Sequence, residues 1–161
     1  TKKLIQAQKR HMHIGVPGHG IVIAVPIKSV GGGKTVAFLN GKTDNAAYTP
    51  SLNYAHELII AVCSQGCTDM VMNAARAAGA RGGTVLHGKG TGAKGAPKFY
   101  NITIAQEKEM ILIVAAASQK AAIMQSILKK AGPDSKAGTI VFSLPTTQVA
   151  GFALLDNQDE T

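Results

Sequence analysis

A short segment occurs twice in this chain in related form, at residues 20–32 and 139–151. The first copy reads GIVIAVPIKSVGG and the second TIVFSLPTTQVAG, so that Ile, Val, Pro, Val and Gly occupy matching places. Each copy contains an apolar run typical of a strand, and a proline ends that run. Because internal repetition indicates a recurring structural unit, we predict that each copy closes one unit. The chain would then hold the end of one unit followed by a complete second one.

Composition limits the class of protein. The chain has 161 residues, of which 45% are hydrophobic and 16% charged, as in a globular domain of ordinary size with an appendage. The longest unbroken apolar stretch, residues 110–117, is too short to cross a bilayer, so we expect no membrane insertion. No secretion-signal pattern is visible, and the two cysteines lack a secretory context, which indicates a cytoplasmic protein.

The net charge of the chain is +8, and most of the cations are lysines. An excess of positive charge favours anionic partners of some kind, but it does not identify them. A solvated basic surface with no binding role is the plain alternative.

The pattern of residues becomes regular from residue 56 onward. A strand is predicted at 56–63, followed by a helix that Thr68 caps and Gly79 ends. A second strand at 83–87 leads into a glycine-rich loop, and a long strand follows at 102–116, with an interruption near 106–108. Ser118 caps a second predicted helix, which Gly132 ends, and the second repeat copy supplies the last strand.

Both predicted helices have one apolar face. In the first helix this face is formed by Val71, Ala74, Ala75 and Ala78, and in the second by Ile123, Ile127 and Ala131. The element order is β-α-β-β-α-β, which predicts an α+β, ferredoxin-like fold with two helices on one face of a four-stranded antiparallel sheet.

The repeat and this element order together predict four parts. Residues 1–33 are the remnant, with its closing strand, of a first unit, and 34–52 are a linker rich in turn residues. Residues 53–152 form one complete domain, and 153–161 are a tail. A basic stretch at 2–14 would be the last part of a helix in the remnant.

The loop at residues 88–95 contains a literal G-x-G-x-x-G pattern. A dinucleotide-binding fingerprint needs a helix to start there, but Pro97 and the strand-like run 99–104 argue against one. What remains is a backbone nest for an anion, with charge from Lys89, Lys94 and Lys98. A plain hairpin loop without a ligand is the alternative.

Other candidate motifs lack the context that their chemistry needs. Residues 31–35, GGGKT, imitate the end of a P-loop, but neither its first glycine nor a following helix is present. His11, His13 and His19 have no spacing that fixes a metal site. Cys63 and Cys67 are most simply buried apolar side chains. No grouping of nucleophile and base emerges, and we therefore expect a protein that is not an enzyme.

Four runs of sequence resemble the PII signal-transduction (nitrogen regulatory) proteins. They are residues 74–92, AARAAGARGGTVLHGKGTG; 99–104, FYNITI; 107–109, EKE; and 138–145, GTIVFSLP. The resemblance covers about residues 55–152 and agrees with the element order above. The first repeat copy is similar to the closing strand of another such unit, so the chain resembles a tandem PII-like protein that lacks the front of its first repeat.

The resemblance implies a homotrimer that binds adenine nucleotides, ATP, ADP or AMP, in clefts between subunits. No cofactor is otherwise implied. The effector would alter how the protein docks onto a regulated partner, which the sequence does not name, in nitrogen metabolism or another pathway. The implied ligand-binding residues lie in the loop after the second strand and in the loop before the last strand: Lys89, Gly90, Thr91, Gly92, Lys94, Lys136, Gly138 and Thr139. Gly138 would face residues 90–92 across the ligand cleft.

This sequence departs from the family pattern in three places. The long partner-docking loop shrinks to about residues 93–99, and Tyr100 does not stand where the family's uridylylated tyrosine does. The arginines expected after the last strand are absent, since GFALL follows at 151–155. These departures concern the effector and the partner rather than the fold.

Two other functions use the same strand and helix order. A basic ferredoxin-like domain can bind nucleic acid through aromatic residues on its sheet, but the four phenylalanines form no adjacent pair on the central strands, so we expect no nucleic-acid partner. An acylphosphatase-type hydrolase would need an anion-clamping Arg beside an Asn, for which Arg76 or Arg81 and Asn101 are available but unsupported.

Overall fold

The computed structural model describes residues 2–14, 16, 20–27, 53–90, 98–99, 102–103 and 106–151, with no account of the side chains at 53–54, 98–99 and 102–103. The predicted linker, most of the glycine-rich loop and the predicted tail lie outside the described residues.

The described residues form three helices and eight strands. The helices are α1 (Lys2–Met12), α2 (Thr68–Arg76) and α3 (Ala117–Ala131); the strands are β1 (Val22–Ala24), β2 (Asn53–Ser64), β3 (Thr84–Gly90), β4 (Lys98–Phe99), β5 (Ile102–Thr103), β6 (Gln106–Ala116), β7 (Ile140–Thr146) and β8 (Gln148–Ala150). The chain divides into two compact units, one comprising Ala55–Leu144 and the other Thr1–Tyr54 with Pro145–Thr161. The four-part division at residues 33, 52 and 152 stays a prediction.

The larger unit is built on a four-stranded sheet with the order β3-β6-β2-β7. Strand β6 runs antiparallel to both of its neighbours, with Ile60 opposite Leu112 on β2 and Val85 opposite Ile111 on β3. The chain order of this unit is β2-α2-β3-β6-α3-β7, apart from the short pair β4 and β5. The predicted α+β, ferredoxin-like fold is confirmed.

Alternation along the strands divides the sheet into two faces. The side chains of Ile59, Ala61, Ile111 and Ile113 are completely buried and form one core with the helices. The predicted apolar faces of both helices lie in or against this core, since Val71, Ala75, Ile123, Ile127 and Ala131 are also completely buried, Ala74 is almost so, and Ala78 packs against them.

The opposite face of the sheet is also apolar, but several of its side chains are accessible. Among them Leu86 is 47% exposed, Met110 38%, Ile140 64% and Phe142 45%. Single exposed apolar residues are ordinary, whereas a group on one sheet face is typical of an interaction surface. We refer to Leu86, Met110, Ile140 and Phe142 as the open sheet face.

The helix starts differ from those predicted. Helix α2 begins at Thr68 with Cys67 as its N-cap residue, and α3 begins at Ala117 with Ala116 in that position; neither N-cap side chain makes a capping hydrogen bond. Thr68 and Ser118 therefore lie inside their helices. In α2, the Glu109 carboxylate of β6 takes the capping role that was predicted for the Thr68 hydroxyl. An ionised acceptor binds the positive end of a helix more strongly than a hydroxyl does.

In the smaller unit, β1 pairs antiparallel with β8, and Val22 lies opposite Ala150. The two repeat copies thus meet, but the strand of the first copy pairs with the end of the second copy. Ile5 of α1 is buried together with Ile14 and Ala150. The predicted basic stretch at 2–14 does contain the end of a helix, with Lys9 and Arg10 in its last turn.

Gly79 ends α2 as predicted, with φ +100°. We expect Gly79→Ala to lower the free energy of unfolding by about 1 kcal/mol, because a side chain is strained in this left-handed conformation. The added Cβ would also lie 2.8 Å from the Gln119 amide nitrogen, which must move. Urea unfolding measures the change. Gly82→Ala is the matched control, since its Cβ meets no atom within 4 Å; equal effects of the two substitutions would contradict this account.

Candidate functional site

The predicted ligand-binding residues fall into two groups within the larger unit. Lys89 and Gly90 end β3. Lys136, Gly138 and Thr139 lie in the turn that joins α3 to β7. Thr91, Gly92 and Lys94 lie outside the described residues.

The two groups lie at the same end of the sheet but on opposite edges. Gly88 on β3 is in register with Lys108 on β6, and Lys108 with Ser64 on β2. The Ser64 N–H donates to the Ala137 carbonyl, 2.9 Å away, beside the start of β7. Three strand spacings of about 4.8 Å therefore separate the groups by roughly 14 Å. Within one chain, Gly138 therefore lies apart from Gly90, and the expected cleft between subunits stays a prediction.

The turn before β7 uses most of its backbone donors internally. The N–H of Ala137 donates to the Ser135 hydroxyl (3.2 Å), that of Gly138 to the Ser135 carbonyl (3.0 Å) and that of Thr139 to the Ala131 carbonyl (3.1 Å). Thr139 is completely buried. This turn consequently offers a ligand the exposed side chain of Lys136 rather than a cradle of N–H groups.

The strand ends near Lys89 carry one more cation than the sequence indicated, Lys108 on the inner strand β6. Lys89 forms an exposed ion pair with Glu107, at 3.6 Å. The Lys108 ammonium donates to the Ser64 hydroxyl at 3.2 Å, and a Cβ on Gly90 would lie 2.9 Å from Cγ of Lys108. Gly90 therefore gives the Lys108 stem room to lie along the strand end. The position of Lys108 follows from the pairing register of β3 and β6, which places Lys108 opposite Gly88.

Glu109 occupies the space between the sheet and the start of α2. Its Oε2 accepts hydrogen bonds from the Thr68 hydroxyl at 2.6 Å and the Thr68 N–H at 3.1 Å, and its Oε1 accepts from the Gly66 N–H at 3.1 Å. His87 Nδ1 lies 3.9 Å from Oε1. A carboxylate therefore fills the anion-binding position that a helix N-terminus provides, so this position is closed to a ligand.

These hydrogen bonds fix the charge of Glu109. The Thr68 hydroxyl first, and then the Gly66 N–H, hold the pKa of this carboxyl below its usual range, against the opposing effect of burial. Glu109 was missed as a structural residue in the sequence because its partners lie more than forty positions away. Only the register of β6 brings them together.

Both cysteines lie beside this carboxylate within the core. Cys63 is 1% exposed and Cys67 is 4% exposed, which confirms their interpretation as buried apolar side chains. Burial raises the pKa of the Cys63 thiol to about 11, and the Glu109 charge acts in the same direction. The environment of Cys63 therefore does not favour a reactive thiolate.

Within the described part of the chain, no three His, Cys, Asp or Glu side chains are grouped so that they could hold a metal ion. His11 and His13 are exposed there, and His19 lies outside the described residues. None of the described helices combines the length and hydrophobicity that a bilayer-spanning helix needs.

The fold and the charged strand ends describe a ferredoxin-like α+β module with cations gathered at one end of its sheet. The sequence profile of the family "Nitrogen regulatory protein P-II" matches residues 56–152. Because this match covers more than half of the chain, the chain belongs to that family.

A crystal structure of Arabidopsis thaliana PII bound to citrate is similar to this chain, with 20% sequence identity and a TM-score of 0.42. The similarity covers 58% of this chain and 76% of that one, and we base no argument on it. A search of curated proteins found no match to this chain.

Glu109→Gln is expected to lower the free energy of unfolding at neutral pH by about 2–4 kcal/mol, because an ionised acceptor of three hydrogen bonds is lost. The folded-state pKa of Glu109 is depressed. Its contribution is therefore complete above the usual Glu pKa of about 4.3 and is lost as the pH falls through the lower folded value. Urea unfolding over a pH series measures both effects.

Glu107→Gln is the matched control, since Glu107 lies two residues away on the same strand face with a 44% exposed side chain. We expect it to cost less than about 1 kcal/mol, as exposed ion pairs do. An equal cost for both variants, or an unchanged pH dependence in Glu109→Gln, would contradict the capping role.

The buried thiols should resist modification in the native protein. We expect a thiol-specific disulfide reagent at pH 8 to label Cys63 and Cys67 only as fast as the protein opens, because both are buried and Cys63 stays protonated. Labelling in denaturant gives the reference rate. Rapid labelling of a thiol in the folded protein would show that the core is accessible.

Proposed function

We propose that this protein is a PII-like regulator, a homotrimer that senses a small anionic effector, most simply ATP, ADP or AMP. Occupancy of the effector site would change its affinity for a regulated partner protein, and the function would rest on binding rather than on bond chemistry. A cytoplasmic location and a role in nitrogen metabolism fit the family to which the chain belongs.

The separation of the two cationic groups carries this proposal. Lys89 lies on the edge strand β3, Lys108 lies on the inner strand β6 with its side chain on the other face of the sheet, and Lys136 lies at the β7 edge, roughly 14 Å from Lys89 by strand spacing. Backbone positions this far apart do not form one compact phosphate site within a chain. If copies of the chain adjoin edge to edge, however, the β3 edge of one copy and the β7 edge of the next supply cations to a common cleft.

The open sheet face supports such an assembly. Met110 and Leu86 are directly opposite one another on adjacent strands, and Ile140 and Phe142 lie on the edge strand β7. Packing these faces around an axis would remove apolar surface from water, at about 25 cal/mol per Å² buried. In a ring of three copies, each pair of neighbours packs parts of their open sheet faces together once.

The lysines favour an effector that carries several negative charges. Lys89 and Lys136 are exposed, and Lys108 is partly buried against Ser64. Ammonium groups bind phosphates as point charges, so a di- or triphosphate suits this set better than a single carboxylate. Thr91, Gly92 and Lys94 complete the proposal as the residues of the glycine-rich loop.

Nucleic-acid binding finds less support. Recognition of RNA bases on a four-stranded sheet depends on aromatic side chains that stack with them. Among the described side chains of the open sheet face, Phe142 is the aromatic one and the others are aliphatic. Aliphatic residues suit packing against protein.

Calorimetry with ATP, ADP and AMP tests the effector, and sedimentation tests the assembly. We expect a mass three times the 16.7 kDa of one chain and saturable binding of at least one nucleotide. Lys89→Gln and Lys136→Gln should each weaken binding by about tenfold or more, because each removes a charge-assisted contact to phosphate.

Two matched controls separate these claims. Lys130→Gln removes an exposed charge from the last turn of α3 and should leave nucleotide affinity unchanged. Ile140→Asp with Phe142→Asp should dissociate the trimer, whereas Leu128→Asp, at a similarly exposed position on α3, should not. A monomeric wild-type protein, or no binding by any nucleotide, would overturn the corresponding part of the proposal.

A further inference from the structure

Two carboxylates of β6 lie opposite two basic residues of β3. Glu109 is in register with His87, and Glu107 is in register with Lys89. The Nδ1 atom of His87 lies 3.9 Å from Oε1 of Glu109, and the Nζ atom of Lys89 lies 3.6 Å from Oε1 of Glu107. Residues two positions apart share a face of the sheet, so both pairs lie on the face that carries the helices. Lys89, one of the proposed effector lysines, therefore has a carboxylate beside it.

The two carboxylates differ in their exposure and in their partners. The side chain of Glu109 is 8% exposed and accepts hydrogen bonds from Gly66 and Thr68 at the start of α2. The side chain of Glu107 is 44% exposed, and that of its partner Lys89 is 70% exposed. An exposed ion pair contributes little to stability, so the fold does not require Glu107 to lie beside Lys89. The charge of Glu107 acts instead on any ion that approaches Lys89.

The other two lysines of the proposed site have no such neighbour. Lys108, on the other face of the sheet, donates to the neutral Ser64 hydroxyl, and Lys136 is exposed in the turn before β7. Within the described part of the chain, neither lysine forms an ion pair with a carboxylate. A carboxylate therefore opposes the charge of Lys89 but not the charges of Lys108 and Lys136.

We propose that Glu107 is a specificity-determining residue of the effector site, an inference that rests on the proposed function. A phosphate oxygen that contacts the Lys89 ammonium at about 2.8 Å lies no more than about 6.4 Å from Oε1 of Glu107. Even in water, the repulsion between two unit charges at that distance lowers affinity about threefold, and each further charge on the effector adds to it. Glu107 thus lowers the affinity for ATP more than that for ADP, and the affinity for ADP more than that for AMP.

Calorimetry of the full chain with ATP, ADP and AMP tests this inference, at low ionic strength and with EDTA to keep divalent cations off the phosphates. Glu107→Gln should bind ATP about tenfold more tightly than the wild type does, ADP about fivefold and AMP about threefold, because the repulsion that is removed grows with effector charge. Raising the salt concentration to about 1 M should abolish most of this gain, since charges are then screened over about 3 Å.

Two controls accompany this experiment, with circular dichroism to show that each variant stays folded. Glu107→Asp keeps the charge and should retain the wild-type order of affinities. Glu57→Gln removes a carboxylate that pairs with Lys120, about 23 Å along β2 from Ser64, and should leave every affinity unchanged.

The possible failures of the two proposals are distinguishable. If the wild type binds nucleotide and Glu107→Gln binds all three nucleotides no more tightly, the role of Glu107 is wrong while the proposed function stands. An equal gain in Glu57→Gln would also overturn the role of Glu107. If neither the wild type nor Glu107→Gln binds any nucleotide, the effector part of the proposed function fails and the role of Glu107 fails with it.

Discussion

The Glu109 carboxylate is the interaction on which the arrangement of the larger unit depends. It extends from β6, in the middle of the sheet, and accepts hydrogen bonds from Gly66 and Thr68 at the start of α2. One side chain thereby joins β6 to α2 and fixes where α2 begins. Because the carboxylate is ionised, it also balances the partial positive charge of the helix N-terminus.

The same strand register determines where the cations lie. With Glu109 opposite His87, Lys108 is opposite Gly88 and Glu107 is opposite Lys89. Alternate residues of β6 therefore serve two purposes, since Glu109 faces the helices and Lys108 lies on the other face. A shift by one residue would put Lys108 in the core and Glu109 in solvent, so the fold and the proposed effector site depend on one alignment.

Much of the fold could be predicted from the sequence because its signals are local. The spacing of Ile123, Ile127 and Ala131 indicated the buried face of α3, and Gly79 marked the end of α2, as the structure shows. The cap of α2 could not be predicted, since Glu109 is more than forty residues from Thr68. The Thr68 hydroxyl stands where a local capping residue is expected, and the sequence pattern therefore favoured it. Lys108 was overlooked for the same reason, because its position depends on pairing between distant strands.

The candidate site was predicted only in part. Its lysines and glycines were recognisable, but the separation of Lys89 from Lys136 follows from the sheet order β3-β6-β2-β7. The sequence also did not indicate that three N–H groups are used within their own turn, those of Ala137, Gly138 and Thr139. These hydrogen bonds depend on the backbone path after α3.

We propose that each effector site combines Lys89 of one copy with Lys136 of another. Nucleotide binding by mixed trimers, made by refolding Lys89→Gln and Lys136→Gln chains together in equal amounts, distinguishes such a shared site from a site within one chain. In a ring, roughly a quarter of the contacts then join an intact Lys89 to an intact Lys136, so high-affinity binding should return at about a quarter of the wild-type stoichiometry. If mixed trimers bind no better than the separate variants, the two lysines do not form a shared site between chains.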